Sequence, residues 1–342
     1  MGTQHARLIQ ARADCELAAI VGPVTEENRN FATNFSAPLF ANLADAISST
    51  QIDAAIISSP NEYHFEQAMI CLEKAVPALV EKPITNILST AKTLATESAR
   101  SRVPILVGHH RTYSPLLEAA DTFIRSPQFG RLVAVQGSAL FYKPAHYFVE
   151  GPWRTKIGGG PILINLIHEI GVMRHLCGEI TRLTALAANR TRNFEVEDTV
   201  AISFEFENGA LGTFLLSDTA ASNKSWEMTS GENPSYPYFP KHNCYHFAGT
   251  NGSLDFPTLR AQYYEAGTTA SWWNPFTEED LNVVRVNPLE RQLEHFVQVA
   301  RGLEQPRVSA YDGYRNMLVV EAIAQSINTR AVVELDKEEI GV

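Results

Sequence analysis

Ala78-Leu79-Val80-Glu81-Lys82-Pro83 is the stretch on which the fold of this chain turns. A short apolar run closed by two charges and a proline suits a strand buried on both faces that ends at a loop. The same texture recurs on either side. Asp53-Ala54-Ala55-Ile56-Ile57-Ser58 reads as a strand, followed by Ser59-Pro60-Asn61. Asn61 is placed to cap a helix that buries Phe65, Ala68, Met69 and Leu72. Further back, Ala6, Leu8 and Ile9 lie in a helical pattern that leads into a strand over Glu16–Val21. Further on, Asn86 to Ala99 reads as a helix and Pro104–Val107 as a strand. Strands alternating with helices imply a parallel sheet with helices on both faces, a Rossmann-like α/β domain over residues 1–110.

Beyond about residue 125 the texture changes. Leu132–Phe141, Leu183–Ala188, Thr199–Phe206 and Leu211–Leu216 read as strands, with Asn208-Gly209 as a hairpin turn between the last two. Further strands are expected near Tyr245–Gly249 and Arg260–Glu265, and helices over Ile162–Cys177, Leu289–Gly302 and Tyr311–Thr329. Strands joined by hairpins favour an antiparallel sheet. Residues 111–342 are therefore expected to form an α+β domain on a large, mainly antiparallel sheet, with the closing helices free to return to the first domain.

Composition narrows the function. The chain has 342 residues, 45% hydrophobic and 19% charged, which suits two domains with sizeable cores. Lys and Arg total 28 against 38 Asp and Glu, a net charge of −10, which argues against nucleic acid or an anionic membrane surface as partner. No apolar run approaches the roughly 20 residues needed to cross a bilayer, and no signal peptide is evident. Cys15, Cys71, Cys177 and Cys244 are scattered, which fits a reducing cytoplasm and argues against structural zinc or a disulfide framework. His242 and His246 have a metal-like spacing, but no carboxylate close in sequence completes a set, so no metal is expected.

Ligands of open parallel sheets sit beyond the C-terminal ends of the strands. Three groups fall there: Ser58-Ser59-Pro60-Asn61 with His64, Glu81-Lys82-Pro83, and Gly108-His109-His110-Arg111. The second domain offers Gly151-Pro152-Trp153-Arg154 and then Gly158-Gly159-Gly160 before a helix that is apolar almost all round. Asn165 and His168 share a face of that helix, as residues three apart do. A buried polar pair needs partners, so His168 is either a core histidine satisfied by the protein or a group that meets a ligand. The triple glycine is either a flexible turn or a place where backbone closes on a flat ligand.

Taken in order and spacing, Glu81-Lys82-Pro83 after a strand, Pro152-Trp153-Arg154, and three glycines followed eight residues later by His168 resemble the glucose–fructose oxidoreductase/inositol dehydrogenase family, Gfo/Idh/MocA, from Gly2 to about Arg330. The resemblance implies an NAD- or NADP-dependent dehydrogenase acting on a secondary alcohol of a sugar, polyol or cyclic diol, with its active site between the domains. It implies Lys82 and His168 as catalytic residues. Gly2, Thr3, Gln4, Ser58, Ser59, Pro60, Asn61, His64, Glu81, Lys82, His110, Arg111, Trp153 and Arg154 would contact the cofactor. Lys82, Tyr113, Asn165 and His168 would contact a small-molecule substrate. The open face of the second sheet would make a homo-oligomer, a dimer or tetramer. Tyr142, Lys143, His146 and Lys156 would join Tyr113 and Arg154 at the pocket rim.

The sequence departs from the family in three places. Many members carry an Asp four residues before the histidine, where this chain has Ile164. The acid that usually ends the second strand and binds the ribose hydroxyls is replaced by Gly22, which leaves NADP admissible beside NAD. Gly2-Thr3-Gln4-His5-Ala6 resembles only the end of the glycine fingerprint, without the first strand and the earlier glycines. The expectation is a start placed too late or a product that binds cofactor poorly. A non-catalytic, dinucleotide-binding regulator of the same fold, or an inactive truncated product, is the alternative.

Overall fold

The computed structural model describes residues 1–336, and the chain divides into two compact units. The first comprises residues 1–110 and Leu289–Met317; the second comprises residues 111–288 and continues from Leu318. The division after His110 falls where the texture of the sequence changes, but one closing helix and the start of the other group with the first unit.

In the first unit, α1 (Gly2–Gln10), β1 (Ile20–Val21), α2 (Glu26–Asn34), β2 (Leu39–Phe40), α3 (Leu43–Ser49), β3 (Ala55–Ile57), α4 (His64–Glu73), β4 (Ala78–Glu81), α5 (Leu88–Ser101) and β5 (Ile105–Gly108) alternate as expected of an α/β domain. All ladders are parallel, but they form two pieces: β1 pairs with β2, and β3-β4-β5 form a separate sheet. Strand length follows from pairing. The apolar run Glu16–Val21 yields only Ile20–Val21 as strand, because β1 has a partner along one edge alone. Ile20, Val21, Ala55 and Ile56 are half-buried, whereas every residue of β4 and β5 is buried. The apolar run at Ala78 therefore ends up as the central strand of its sheet, sheltered on both faces.

The second unit begins with α6 (Pro115–Ile124), β6 (Leu132–Leu140), α7 (Ala145–Glu150), a π-helical turn (Ile162–Leu166) and α8 (Ile167–Cys177). Then come β7 (Ile180–Ala188), β8 (Thr199–Phe206), β9 (Leu211–Ser217), α9 (Trp226–Thr229), β10 (Tyr245–Gly249), β11 (Gly252–Phe256), β12 (Arg260–Tyr263) and β13 (Thr277–Asp280). Helix α10 (Pro288–Ala300) belongs almost wholly to the first unit, the division at Met317 falls inside α11 (Ala310–Thr329), and β14 (Val333–Glu334) ends the described chain. One nine-stranded sheet runs β13-β12-β11-β10-β6-β9-β8-β7-β14 and is antiparallel except where β6 meets β9. Asn208-Gly209 makes the expected hairpin between β8 and β9. Burial alternates along β6 to β9, so one face of the sheet lies in the core and the other is open.

The core of the first unit explains the placement of α10. Leu79 and Leu106 on the sheet bury against Leu293, Phe296 and Val299, with Leu8, Ile9 and Ile56 packed beside them. The outer edge of β5 is closed by Val308, whose carbonyl accepts from the Val107 N–H at 2.8 Å. Burying this edge without a partner would leave ladder groups unsatisfied.

Candidate active site

The polar loops of the first unit collect at the C-terminal ends of β3, β4 and β5. Gly2 opens α1, and a Cβ there would stand 3.0 Å from Ser58 Oγ, so the glycine lets the helix N-terminus close on the loop after β3. Thr3 and Gln4 lie in that same first turn. Ser59 Oγ donates to Gln67 Oε1 at 2.8 Å. Pro60 precedes a 3₁₀ turn over Asn61–Tyr63, and no side chain caps α4. Asn61 is thus not the helix cap that its position suggests: the extra turn sets it three residues before α4 begins.

His64, expected to contact the cofactor, lies between the loops that follow β3 and β4. It is fully buried, and its ring nitrogens lie 2.9 Å from the carbonyls of Pro83 and Ser59. The ring braces the loop after β3 against the loop after β4. Both ring nitrogens face backbone carbonyl oxygens.

Glu81 ends β4 and is 6% exposed. Its Oε1 lies 2.8 Å from His5 Nε2, and its Oε2 accepts from the Lys82 N–H at 3.3 Å. Burial alone would push this carboxyl up. The His5 hydrogen bond and the positive field of His5, His110 and Lys82 outweigh it and hold the group below the usual carboxylate range. Gly108 makes room, since a Cβ there would meet Glu81 Oε2 at 2.9 Å. The half-buried Lys82 thus leaves the strand from a fixed backbone, through a cis bond to Pro83. His109 is buried with Nε2 3.1 Å from Asn316 Nδ2, and His110 is half-buried. His5 and Gly108 carry no local signal of this arrangement; only a buried carboxylate's need for a donor points to it.

In the second unit, Arg111 is buried. Its guanidinium bonds Glu169 Oε1 and Glu227 Oε1, each at 2.6 Å, and lies 5.1 Å from the centre of the Trp226 ring. The Tyr245 hydroxyl donates to Glu169 Oε2. Burial pushes the Glu169 carboxyl up against the pull of Arg111. Arg111 serves as counter-ion to the buried Glu169 and the half-buried Glu227. Tyr113 is buried beside this segment. Trp153 is 52% exposed, and Arg154 sits 3.9 Å over the Tyr147 ring.

The three glycines are not merely a flexible turn. Gly158 and Gly160 have φ of +90° and +81°, and a Cβ on Gly159 would lie 2.5 Å from the Trp153 carbonyl. They fold the chain back onto Trp153-Arg154 before the π turn. His168 is 8% exposed in the first turn of α8. Asn165 lies in the π turn, where the winding differs from an α-helix, so the three-residue spacing alone does not fix a common face. Its Oδ1 accepts from Lys143 Nζ at 2.7 Å. His246 pairs at 2.7 Å with Asp255, its neighbour on the next strand nine residues on, a carboxylate that the sequence alone does not bring to it. All four cysteines are free.

A parallel α/β unit with polar loops at the C-terminal ends of its strands is the architecture of a nucleotide-binding domain. The match to known proteins is specific. The model of the oxidoreductase family's NAD-binding Rossmann fold matches residues 1–109, and that of the GFO/IDH/MocA C-terminal domain matches residues 117–255. The chain belongs to the Gfo/Idh/MocA family. It is 25% identical over 332 residues to the rhizopine catabolism protein MocA of Rhizobium meliloti, covering 96% of this chain and 92% of that one. It is 23% identical to the 1,5-anhydro-D-fructose reductase of Ensifer adhaerens, over 94% of this chain and 91% of the other. Its fold is similar to that of an oxidoreductase from Agrobacterium radiobacter, solved with NAD+, L-tartaric acid and magnesium, with a TM-score of 0.78 and 18% identity over 97% of this chain and 95% of the other. Among the described residues no helix is long and apolar enough to cross a membrane.

Proposed function

We propose that this protein is an NAD- or NADP-dependent dehydrogenase that oxidises a secondary alcohol of a sugar, polyol or cyclic diol, or reduces the matching ketone. The reading is carried by Lys82, which leaves the end of the buried central strand from a backbone that His5, Glu81 and Gly108 lock in place. The N-terminus of α1, closed on Ser58 through Gly2, would hold the dinucleotide's phosphates, with the Gly2 and Thr3 N–H groups as donors. When bound, the nicotinamide ring exchanges a hydride with the carbinol carbon. Lys82 hydrogen-bonds the substrate oxygen and stabilises its developing negative charge. His168 accepts the hydroxyl proton, as an imidazole can near neutral pH.

The test is the nicotinamide absorbance change across a panel of sugars, inositols and cyclic diols. General acid–base groups contribute roughly 10² to 10⁴ in rate, so Lys82→Met and His168→Ala each lower kcat by at least about a hundredfold on the substrate found. Wild-type turnover in both variants refutes the roles. The open sheet face supports self-association: Leu186, Ala201 and Leu215 are exposed and lie in one row across β7, β8 and β9. A Leu186→Glu/Leu215→Glu variant runs as a monomer in light scattering if a second copy covers that row.

A further inference from the structure

Lys143, in the second unit, is a buried lysine that the proposed chemistry leaves unused. Its side chain is 9% exposed, and its ammonium lies 3.7 Å from Asp218 Oδ2 and 4.9 Å from the centre of the Tyr147 ring. The backbone around it is pinned. Its N–H donates to the Asp218 carbonyl at 2.8 Å, and its carbonyl accepts from Arg192 at 2.7 Å. Arg192 in turn bonds Asp218 Oδ1 at 2.8 Å. Lysines this deep are held for a purpose or paired fully; this one gives its shortest bond to a neutral amide, Asn165 Oδ1 at 2.7 Å.

That bond decides which way Asn165 points. An amide has an acceptor end and a donor end, and an ammonium can only donate. Lys143 therefore takes the oxygen, and the NH₂ of Asn165 is turned away from it. Asn165 is half-buried and makes no other side-chain hydrogen bond among the described residues. It lies in the π turn, three residues before His168. A carboxylate in this neighbourhood would offer acceptors alone.

We propose that Lys143 is a positioning residue that holds Asn165 as a hydrogen-bond donor toward the substrate, so that the site takes substrates with an acceptor oxygen beside the reacting carbinol and disfavours those with an ammonium there. The proposal rests on the dehydrogenase reading for its substrate. The Lys143–Asn165 bond itself does not depend on that reading.

The charges facing Lys143 set its titration. Burial lowers its pKa to about 8, Asp218 and Glu227 oppose this, and Arg154 and Arg192 reinforce it. A neutral amine is a weaker donor and can itself accept, so the hold on Asn165 is strongest below about pH 8 and weakens above it.

The full-length protein, labelled with ¹⁵N-asparagine, tests this by NMR, with the Asn165 NH₂ signal assigned by its loss in Asn165→Ala. The signal is expected to shift with a midpoint near 8 in wild type and not in Lys143→Met or Lys143→Arg. A wild-type signal that does not titrate, or one that still titrates in either variant, overturns the proposal. On a substrate identified in the panel, Lys143→Met raises KM about tenfold with cofactor affinity unchanged, as expected for one lost orienting bond. Asn165→Asp narrows the preference for a hydroxylated over an aminodeoxy substrate. An unchanged KM or an unchanged preference counts against the proposal. Should no panel member react, the dehydrogenase reading fails while the NMR titration still decides the role of Lys143. Should Lys143→Met not fold, wild type and Lys143→Arg carry the same titration test.

Discussion

Replacing His5 by Leu removes the one side-chain donor that a buried carboxylate has among the described residues. Glu81 is 6% exposed, and without His5 Nε2 it keeps, among the described residues, the Lys82 N–H at 3.3 Å. Removing one partner of a buried pair costs about 3–5 kcal/mol, because a charge is left uncompensated. At about 4 °C per kcal/mol for a unit of this size, the melting midpoint of the first unit falls by roughly 12–20 °C at pH 7. The sign of the pH dependence distinguishes this from simple cavity formation. In the wild-type protein the Glu81 carboxyl is held below its ordinary value, so its contribution is present at neutral pH and lost as pH falls through the folded value. In His5→Leu burial is no longer outweighed, the carboxyl rises, and the cost grows as pH climbs past about 4. The gap between wild type and variant should therefore narrow steadily from pH 7 to pH 4 in scanning calorimetry. Adding Glu81→Gln to His5→Leu removes the stranded charge and should recover more than half of the loss. An equal deficit at pH 4 and pH 7, or no recovery in the double variant, refutes the argument.

Three further expectations follow from the same geometry. Gly108→Ala places a Cβ 3.0 Å from the Glu81 Cα, which cannot swing aside, so it costs about 1–3 kcal/mol in thermal unfolding and weakens cofactor binding in titration calorimetry. Arg111→Met strands Glu169 and Glu227, so the second unit loses about 3–5 kcal/mol at pH 7 by denaturant unfolding. Since burial already pushes the Glu169 carboxyl up, that deficit shrinks at pH 5, where the group takes a proton more easily. Gly22→Asp restores an acid at the end of β1, where a Cβ meets only Asn28 Nδ2 at an ordinary 3.4 Å. On the dehydrogenase reading it shifts the kcat/KM ratio toward NAD over NADP by about tenfold or more, measured with both cofactors.

What the sequence made legible was what local chemistry dictates. The hairpin at Asn208-Gly209 and the strand Thr199–Phe206 stand where turn residues and apolar alternation put them. The apolar helix before Cys177 is present too, but its first turn is wound as π, which no spacing of Ile162, Leu163 and Ile164 announces. Short elements escaped for a different reason. Helices α2 and α3 carry side-chain caps at Thr25 and Asn42, a signal stronger than the apolar stripe and the one more worth following.

The site divides along the same line. Loops at strand ends were found because strand ends are where ligands of such sheets bind. Which of their polar groups remain available was not found, because availability depends on partners far along the chain. His64 is spent on carbonyls 5 and 19 residues away, and Arg111 on carboxylates 58 and 116 residues away. The reverse also holds: His5 gains its role from Glu81, 76 residues on, and Lys143 from Asn165, 22 residues on. A polar residue's type says what it can do, and its burial and partners decide whether it is free to do it. This is why the proposed reading gives Lys82 and Asn165, each with a neighbour fixed behind it, more weight than the more conspicuous Arg111 and His64.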